Sequence, residues 1–267
     1  LLLACAAGYV GIQTGDFPRY GRNFWEATKS KGWEYQESTV DASCEYGGKR
    51  FILNFSQLER DASGADGVTP SSGVRIQGRA AFGKIGVIVS AMRTLPASLY
   101  VGELFDNNTA VILPRKPEDL PAVWSFCRSD DFRLEVRKID QSLKVTNSTL
   151  VKVPFEFERW RKVAAQEYPR GLPAPYSDDP TQWLFHGHPQ SASDPLQVAV
   201  ARLAGYSWPA ESDAKLELSD QSRNWIGHCE QLALHADDDG IVCLPSVRGE
   251  PSAHDRLLKL LIAAWET

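Results

Sequence analysis
A chain of 267 residues with 43% hydrophobic and 24% charged residues holds enough apolar material for a core, which excludes a disordered tail. Its formal net charge of −5 argues against nucleic-acid binding over the whole surface. The acids gather at Glu211 to Asp220 and at Asp237-Asp238-Asp239, however, and leave room for a local basic groove.

Residues 1–8, LLLACAAG, place small residues after a short apolar run, with neither an initiating Met nor a basic leader. This start, and a stop at Thr267 inside a helical pattern, suggest a piece of a larger protein. Gly8 to Glu26 is broken by Gly11, Gly15, Gly21 and Pro18 and is expected to be an ordered loop. Within it Arg19 and Arg22 stand beside Phe17, Tyr20, Phe24 and Trp25, a mixture suited to nucleic-acid contact or to a loop pinned by its aromatics. Trp33 to Phe55 reads as short strands around a Gly47-Gly48 turn, and Leu58 to Ser72 as a mobile polar loop.

The stretch from Gly73 to Pro114 is the centre of the reading. Apolar β-formers recur at Ile85 to Val89 and Val111 to Leu113, with Asp106-Asn107-Asn108 as turn chemistry before the last strand. Glycines recur at 73, 78, 83, 86 and 102. Between Ser71 and Gly102 the charges are Arg75, Arg79, Lys84 and Arg93, with no acid. A glycine-punctuated sheet of this kind suits a polyanion whose backbone must come close.

Helical spacing begins at Glu118 and carries Leu120, Val123, Trp124 and Cys127, with Pro121 in the first turn. Ser129 is placed to cap a second helix, with Asp130 and Asp131 at its positive end and Phe132, Val136 and Ile139 on one face. The two helices are expected to cover the sheet. Ser142 to Phe155 reads as strands around Thr146-Asn147-Ser148. Glu156 to Tyr168 is helical, Arg170 to Asp194 linker-like, and Asp194-Pro195 opens another helix. Trp208 to Leu232 reads as irregular, Ile241 to Leu244 as a short strand and His254 to Trp265 as a helix. The expected fold is α+β: a mixed or antiparallel sheet domain covered by helices over residues 1–155, with a linker remnant at 1–26, then a smaller helical, loop-rich extension over 156–267.

Tests for chemistry find little. His186-Gly187-His188 offers two imidazoles at i and i+2, yet spacing supplies no third metal ligand, and the other reading is a turn whose imidazoles bond to backbone. Asp178-Asp179, between Ser177 and Pro180, reads as a turn or cap. There is no GxSxG, HExxH, P-loop or GxGxxG. Cys5, Cys44, Cys127, Cys229 and Cys243 are scattered and form no CxxC pair, which fits reduced thiols and a cytoplasmic location. The sequons at Asn54, Asn107 and Asn147 matter only in a secreted chain. No run is long enough to span a membrane.

The order of several motifs carries a resemblance: GIQTGDFPRYGRNFWE at 11–26, LYVGELFDNNTAVI at 99–112, IDQSLKVTNSTLVKVPF at 139–155, LPAPYSDDPTQWLFHGHP at 172–189, PLQVAVARLAGYSWPAE at 195–211 and DDDGIVCLPSVRGE at 237–250. Together they resemble the large single-chain adenine-specific DNA methylases of restriction and phage-defence systems, including type IIG-like, bacteriophage-exclusion and DISARM relatives. The resemblance implies an upstream S-adenosylmethionine-binding domain with a glycine-rich loop and an NPPY motif. This chain contains no Asn-Pro-Pro and no matching loop, so the resemblance implies its target-recognition region and helical extension, without cofactor and inactive alone.

The expected partners are double-stranded DNA, the missing methyltransferase domain and possible defence-system subunits, with no membrane. Residue type points to Arg75, Gln77, Arg79, Lys84 and Arg93 as base-reading candidates. Arg19, Arg22, Lys144 and Asn147 are candidates for phosphate contacts. Two alternatives stand beside this one. The first is an interaction scaffold using the acidic stretch and exposed Trp208 and Trp225. The second is a secreted carbohydrate-binding module suggested by the tryptophans and the leader-like start.

Overall fold
Alternating apolar residues on short strands build two four-stranded sheets in the first half of the chain. The computed structural model describes residues 1–64 and 73–266, which divide into two compact units, Leu1–Leu172 and Pro173–Thr267. The first unit runs β1 (Ala6–Val10), α1 (Phe17–Tyr20), β2 (Gly21–Asn23), β3 (Trp33–Glu37), β4 (Phe51–Asn54), α2 (Phe55–Ser63), β5 (Gly86–Ser90), β6 (Ala97–Tyr100), β7 (Leu104–Phe105) and β8 (Thr109–Pro114). Then come α3 (Leu120–Cys127), α4 (Asp130–Ile139), α5 (Asn147–Val151) and α6 (Phe157–Glu167).

The larger sheet has the order β1-β8-β5-β6 and is antiparallel throughout, with Ile88 opposite Val111 and Ser98. The second has the order β2-β4-β3-β7, and only β3 and β7 run parallel. The fold is α+β.

Period two puts successive side chains on opposite faces. Val87, Val89, Leu99 and Ile112 meet Trp124, Phe126, Phe132, Leu150 and Trp160 from the helices, whereas Ile88, Tyr100, Val111 and Leu113 meet Phe105 and Phe82 on the other side. Both faces are thus covered. The predicted cap holds: Ser129 Oγ accepts the Phe132 N–H at 3.2 Å. Phe132 and Val136 are buried, while Ile139 of the same expected stripe is exposed. Helix α6 packs on α3, and the Trp124 indole N–H donates to Tyr168 Oη at 2.8 Å. The first unit therefore extends to Leu172, beyond the expected boundary at 155.

Several expectations are corrected. Residues 6–10, read partly as linker and loop, form edge strand β1 along β8, and the loop to Glu26 contains α1 and β2. The loop expected from Leu58 is helix α2 as far as Ser63. Asn54 Oδ1 caps it by accepting the Gln57 N–H, and Gly64 closes it in the left-handed region; residues 65–72 of that expectation lie outside the described residues. Strands expected in 142–155 give way to α5. Its Leu150 and Val151 are buried beside β1, so tertiary packing overrides the β preference of a Val- and Thr-rich stretch.

The second unit contains α7 (Pro195–Leu203), α8 (Pro209–Ser212), α9 (Asp220–Leu232) and α10 (Ala253–Glu266). The helix expected to open at Asp194-Pro195 is α7, and Asp194 caps it through the Gln197 N–H at 3.1 Å. The irregular stretch expected over 208–232 is instead helical in α8 and α9, the latter capped by Ser219. Ile241 to Leu244 forms no strand. The expected linker 170–194 lacks long helices, but it is the packed heart of this unit: Trp183, Leu184, Phe185, His186 and His188 are all buried. No described helix is long and apolar enough to cross a membrane.

Candidate nucleic-acid interface
One rim of the larger sheet gathers polar residues from five separate segments. Past β1 the chain must pass tightly beside β7. A Cβ on Gly11 would sit 2.3 Å from the Phe105 and Asp106 carbonyl oxygens, so only glycine fits. Gln13 and Arg75 then exchange both backbone hydrogen bonds, at 2.9 and 2.8 Å. The Asn107 N–H donates to the Ile12 carbonyl at 2.9 Å, and the Ala91 N–H to the Asn108 carbonyl at 2.8 Å. The Val145 N–H donates to the Ala91 carbonyl at 2.8 Å, which pairs Lys144 with Met92.

These bonds bring Gln13, Arg75, Arg93, Asn107, Asn108 and Lys144 to one end of the sheet, where β1 ends, β8 begins and β5 ends. Arg75, Arg93 and Lys144 are exposed and form no salt bridge among the described residues. Lys144 Nζ donates to Asn108 Oδ1 at 3.2 Å. Asp106 beneath the rim accepts from Ser38 Oγ and the Asn108 N–H. Burial pushes its carboxyl upward, and the Ser38 bond pulls back.

The other sequence-derived candidates lie elsewhere. Five strand residues of β5 separate Lys84 from the turn holding Arg93, a span of about 17 Å at ~3.4 Å per residue. Lys84 lines an open cleft of about 690 Å³ with Tyr9, Ile85, Leu113 and Arg115. Arg79 pairs with Glu59 at 2.8 Å and lies over the Phe55 ring. Arg19 pairs with Asp61 at 2.6 Å; Asp61 also accepts from Tyr20 Oη and Gln57 Nε2, and these bonds, Tyr20 first, hold its carboxyl below the usual range. Arg22 donates to the Pro18 and Gly21 carbonyls of its own turn. Asn147 Nδ2 donates to the Gly8 carbonyl at 3.1 Å and ties α5 to β1. Gln77 is half-buried two residues beyond Arg75.

The one basic sheet surface read from 73–114 is thus two ends of a sheet, with Arg79 held against α2. Two of its glycines are corrected likewise. A Cβ on Gly78 would meet the Phe105 ring and the Val10 carbonyl, and Gly86 abuts the Ile112 carbonyl, so these positions serve internal packing. Gln13, Asn107 and Asn108 were missed as site residues. Asn107-Asn108 reads locally as turn chemistry, and only the fold brings it beside Lys144.

The His186-Gly187-His188 turn is structural. His188 N–H donates to His186 Nδ1 at 3.0 Å, and Gln190 N–H to His188 Nδ1 at 3.2 Å. Both rings stack on Trp225. Arg202 donates to the Gly187 carbonyl and to Glu211, each at 2.6 Å. Trp208, expected to be exposed, is 3% exposed and donates its indole N–H to the Pro180 carbonyl; Trp225 is half-buried between the imidazoles. Neither is an exposed docking aromatic.

Gly83 and Gly86 lead into strand β5 rather than a helix N-terminus, and the sequence has no Asn-Pro-Pro. No protein-family model matches the chain, and no curated protein matches it.

Proposed function
We propose that this chain is the DNA target-recognition portion of an adenine-specific DNA methylase of restriction or phage-defence type, acting in the cytoplasm. The methyl transfer and its S-adenosylmethionine would belong to a separate catalytic domain. The observation that carries the reading is the rim, where three cations that form no salt bridge among the described residues stand with three amides at one end of a sheet. Arginine and lysine supply phosphate and guanine contacts, and asparagine and glutamine match adenine. Charge segregation supports it: the first unit has 23 basic against 20 acidic residues, the second 6 against 14. The motif order of the sequence points the same way.

The test is duplex binding by this chain across a salt series. Binding is expected to weaken linearly on log–log axes, and Arg75→Ala/Arg93→Ala/Lys144→Ala is expected to shorten the slope by about one per phosphate contact removed. Arg79→Ala is the control, since Arg79 is already paired with Glu59. A folded triple variant with unchanged affinity and slope would sink the assignment.

A further inference from the structure
Among the described residues, Arg93, Leu95 and Arg248 are the non-glycine residues with left-handed backbone, at φ of 54°, 55° and 51°. Two of the three lie in the single turn that joins β5 to β6. A side chain is disfavoured in that region, and such conformations persist only where the surroundings enforce them.

Here the surroundings do. The Ser90 N–H donates to the Pro96 carbonyl at 2.8 Å, and the Leu95 N–H to the Met92 carbonyl at 3.1 Å. Leu95 is buried in the core beneath the helices. Met92 is bridged to Lys144. From the last turn of α4, Arg137 donates to the Arg93 carbonyl and to the Ser142 carbonyl, each at 2.6 Å. Between these anchors only Arg93 and Thr94 are exposed. Glycine would adopt this φ without strain, yet the chain holds an arginine here, its backbone held by the turn and its side chain exposed with no salt bridge among the described residues.

We infer that Arg93 is the guanine-reading side chain of the interface, its guanidinium meeting O6 and N7 of one base, while Arg75 and Lys144 hold phosphates. This rests on the DNA-binding reading above. A bidentate fork needs a fixed approach, which the clamped turn supplies. A lysine is a flexible point charge, which suits a phosphate.

The experiment selects the preferred duplex for the wild-type chain from a randomised library. It then measures binding to that duplex and to its single-base-pair variants. Wild type is expected to prefer G·C at one position by about 5- to 150-fold. Arg93→Gly is expected to abolish that preference alone, with a thermal midpoint equal to or above wild type because the strain is gone. Arg93→Lys keeps the charge and is expected to lose the preference while keeping the salt slope.

Lys144→Ala is expected to weaken all duplexes evenly and shorten the slope by about one. An even loss with a shortened slope in Arg93→Gly would make Arg93 a phosphate contact and overturn the inference. Unchanged preference in Arg93→Gly, or a wild type that binds without preference, overturns it too. A wild type that binds no duplex at all overturns the DNA-binding reading itself.

Discussion

Lys49 is 0% exposed, yet it carries an ammonium group. It donates to Glu37 Oε2 at 2.7 Å and to Glu103 Oε1 at 3.2 Å, so one cation faces two carboxyls in the second sheet. The other oxygen of each carboxyl has no hydrogen-bond partner among the described residues. Two anions against one cation, with Glu37 and Lys49 fully buried, would leave net charge in a poor solvent for it. The arrangement becomes neutral if Glu37 keeps its proton, and burial does push its carboxyl up against the pull of Lys49. Lys49→Met is therefore expected to destabilise the protein by about 3–5 kcal/mol, because the Glu103 carboxylate loses its cation and the buried Glu37 carboxyl its hydrogen-bond donor. Replacing Glu37 and Glu103 by Gln in the same chain should restore part of that loss. Urea midpoints of the two variants against wild type check both statements, and an unchanged midpoint in Lys49→Met would refute the pairing.

Whether an element was legible in the sequence depended on whether its signal was local. Helices α4 and α7 announced themselves through Ser129 and Asp194, whose side chains cap the residues that immediately follow. Strands β5 and β8 were plain from runs of Val, Ile and Leu. Helix α5 was hidden because its Thr, Leu and Val favour strands, and only burial against β1 selects a helical turn. The loop around Trp183 reads like a linker because four prolines and two glycines break it, although Trp183 and Phe185 are buried. The rim was half legible: Arg75, Arg93 and Lys144 were named, but strand register alone sets Lys84 at the far end and brings in Asn107. Helix α2 has a cap that is readable locally, in Asn54. Asn54→Ala is expected to cost about 1 kcal/mol by freeing the Gln57 N–H, and Asn54→Ser to cost less. A urea titration distinguishes these; equal stability of all three chains would remove the cap from the account. The loss should also loosen the helix that holds Glu59 and Asp61 against Arg79 and Arg19.

At the scale of the whole molecule the two units hold buried titratable groups of opposite sign, so their responses to pH should diverge. In the second unit His186 and His188 accept backbone N–H groups at Nδ1, and a proton added there would displace those bonds. Burial, foremost, pushes His186 down to about 3 and His188 to about 4. Their folded values lie below the unfolded one, so the unfolded chain binds more protons, and stability falls as pH drops from about 6.5 toward 4. In the first unit Glu37 is raised to about 8, above its unfolded value, so the folded state binds the extra proton. That contribution is fully present below about pH 4.5 and is lost as pH rises through 8. Between pH 6.5 and 4.5 acidification should therefore weaken Pro173–Thr267 while Glu37 strengthens Leu1–Leu172. Thermal proteolysis read by mass spectrometry at pH 5 and pH 7.5 separates the two. Fragments from the second unit are expected at lower temperature at pH 5, and fragments from the first at equal or higher temperature. Replacing Glu37 by Gln should flatten the response of the first unit and leave that of the second unchanged. If both units instead weaken together on acidification, and Glu37→Gln changes neither, then the buried carboxyl and the buried imidazoles do not carry the protons assigned to them.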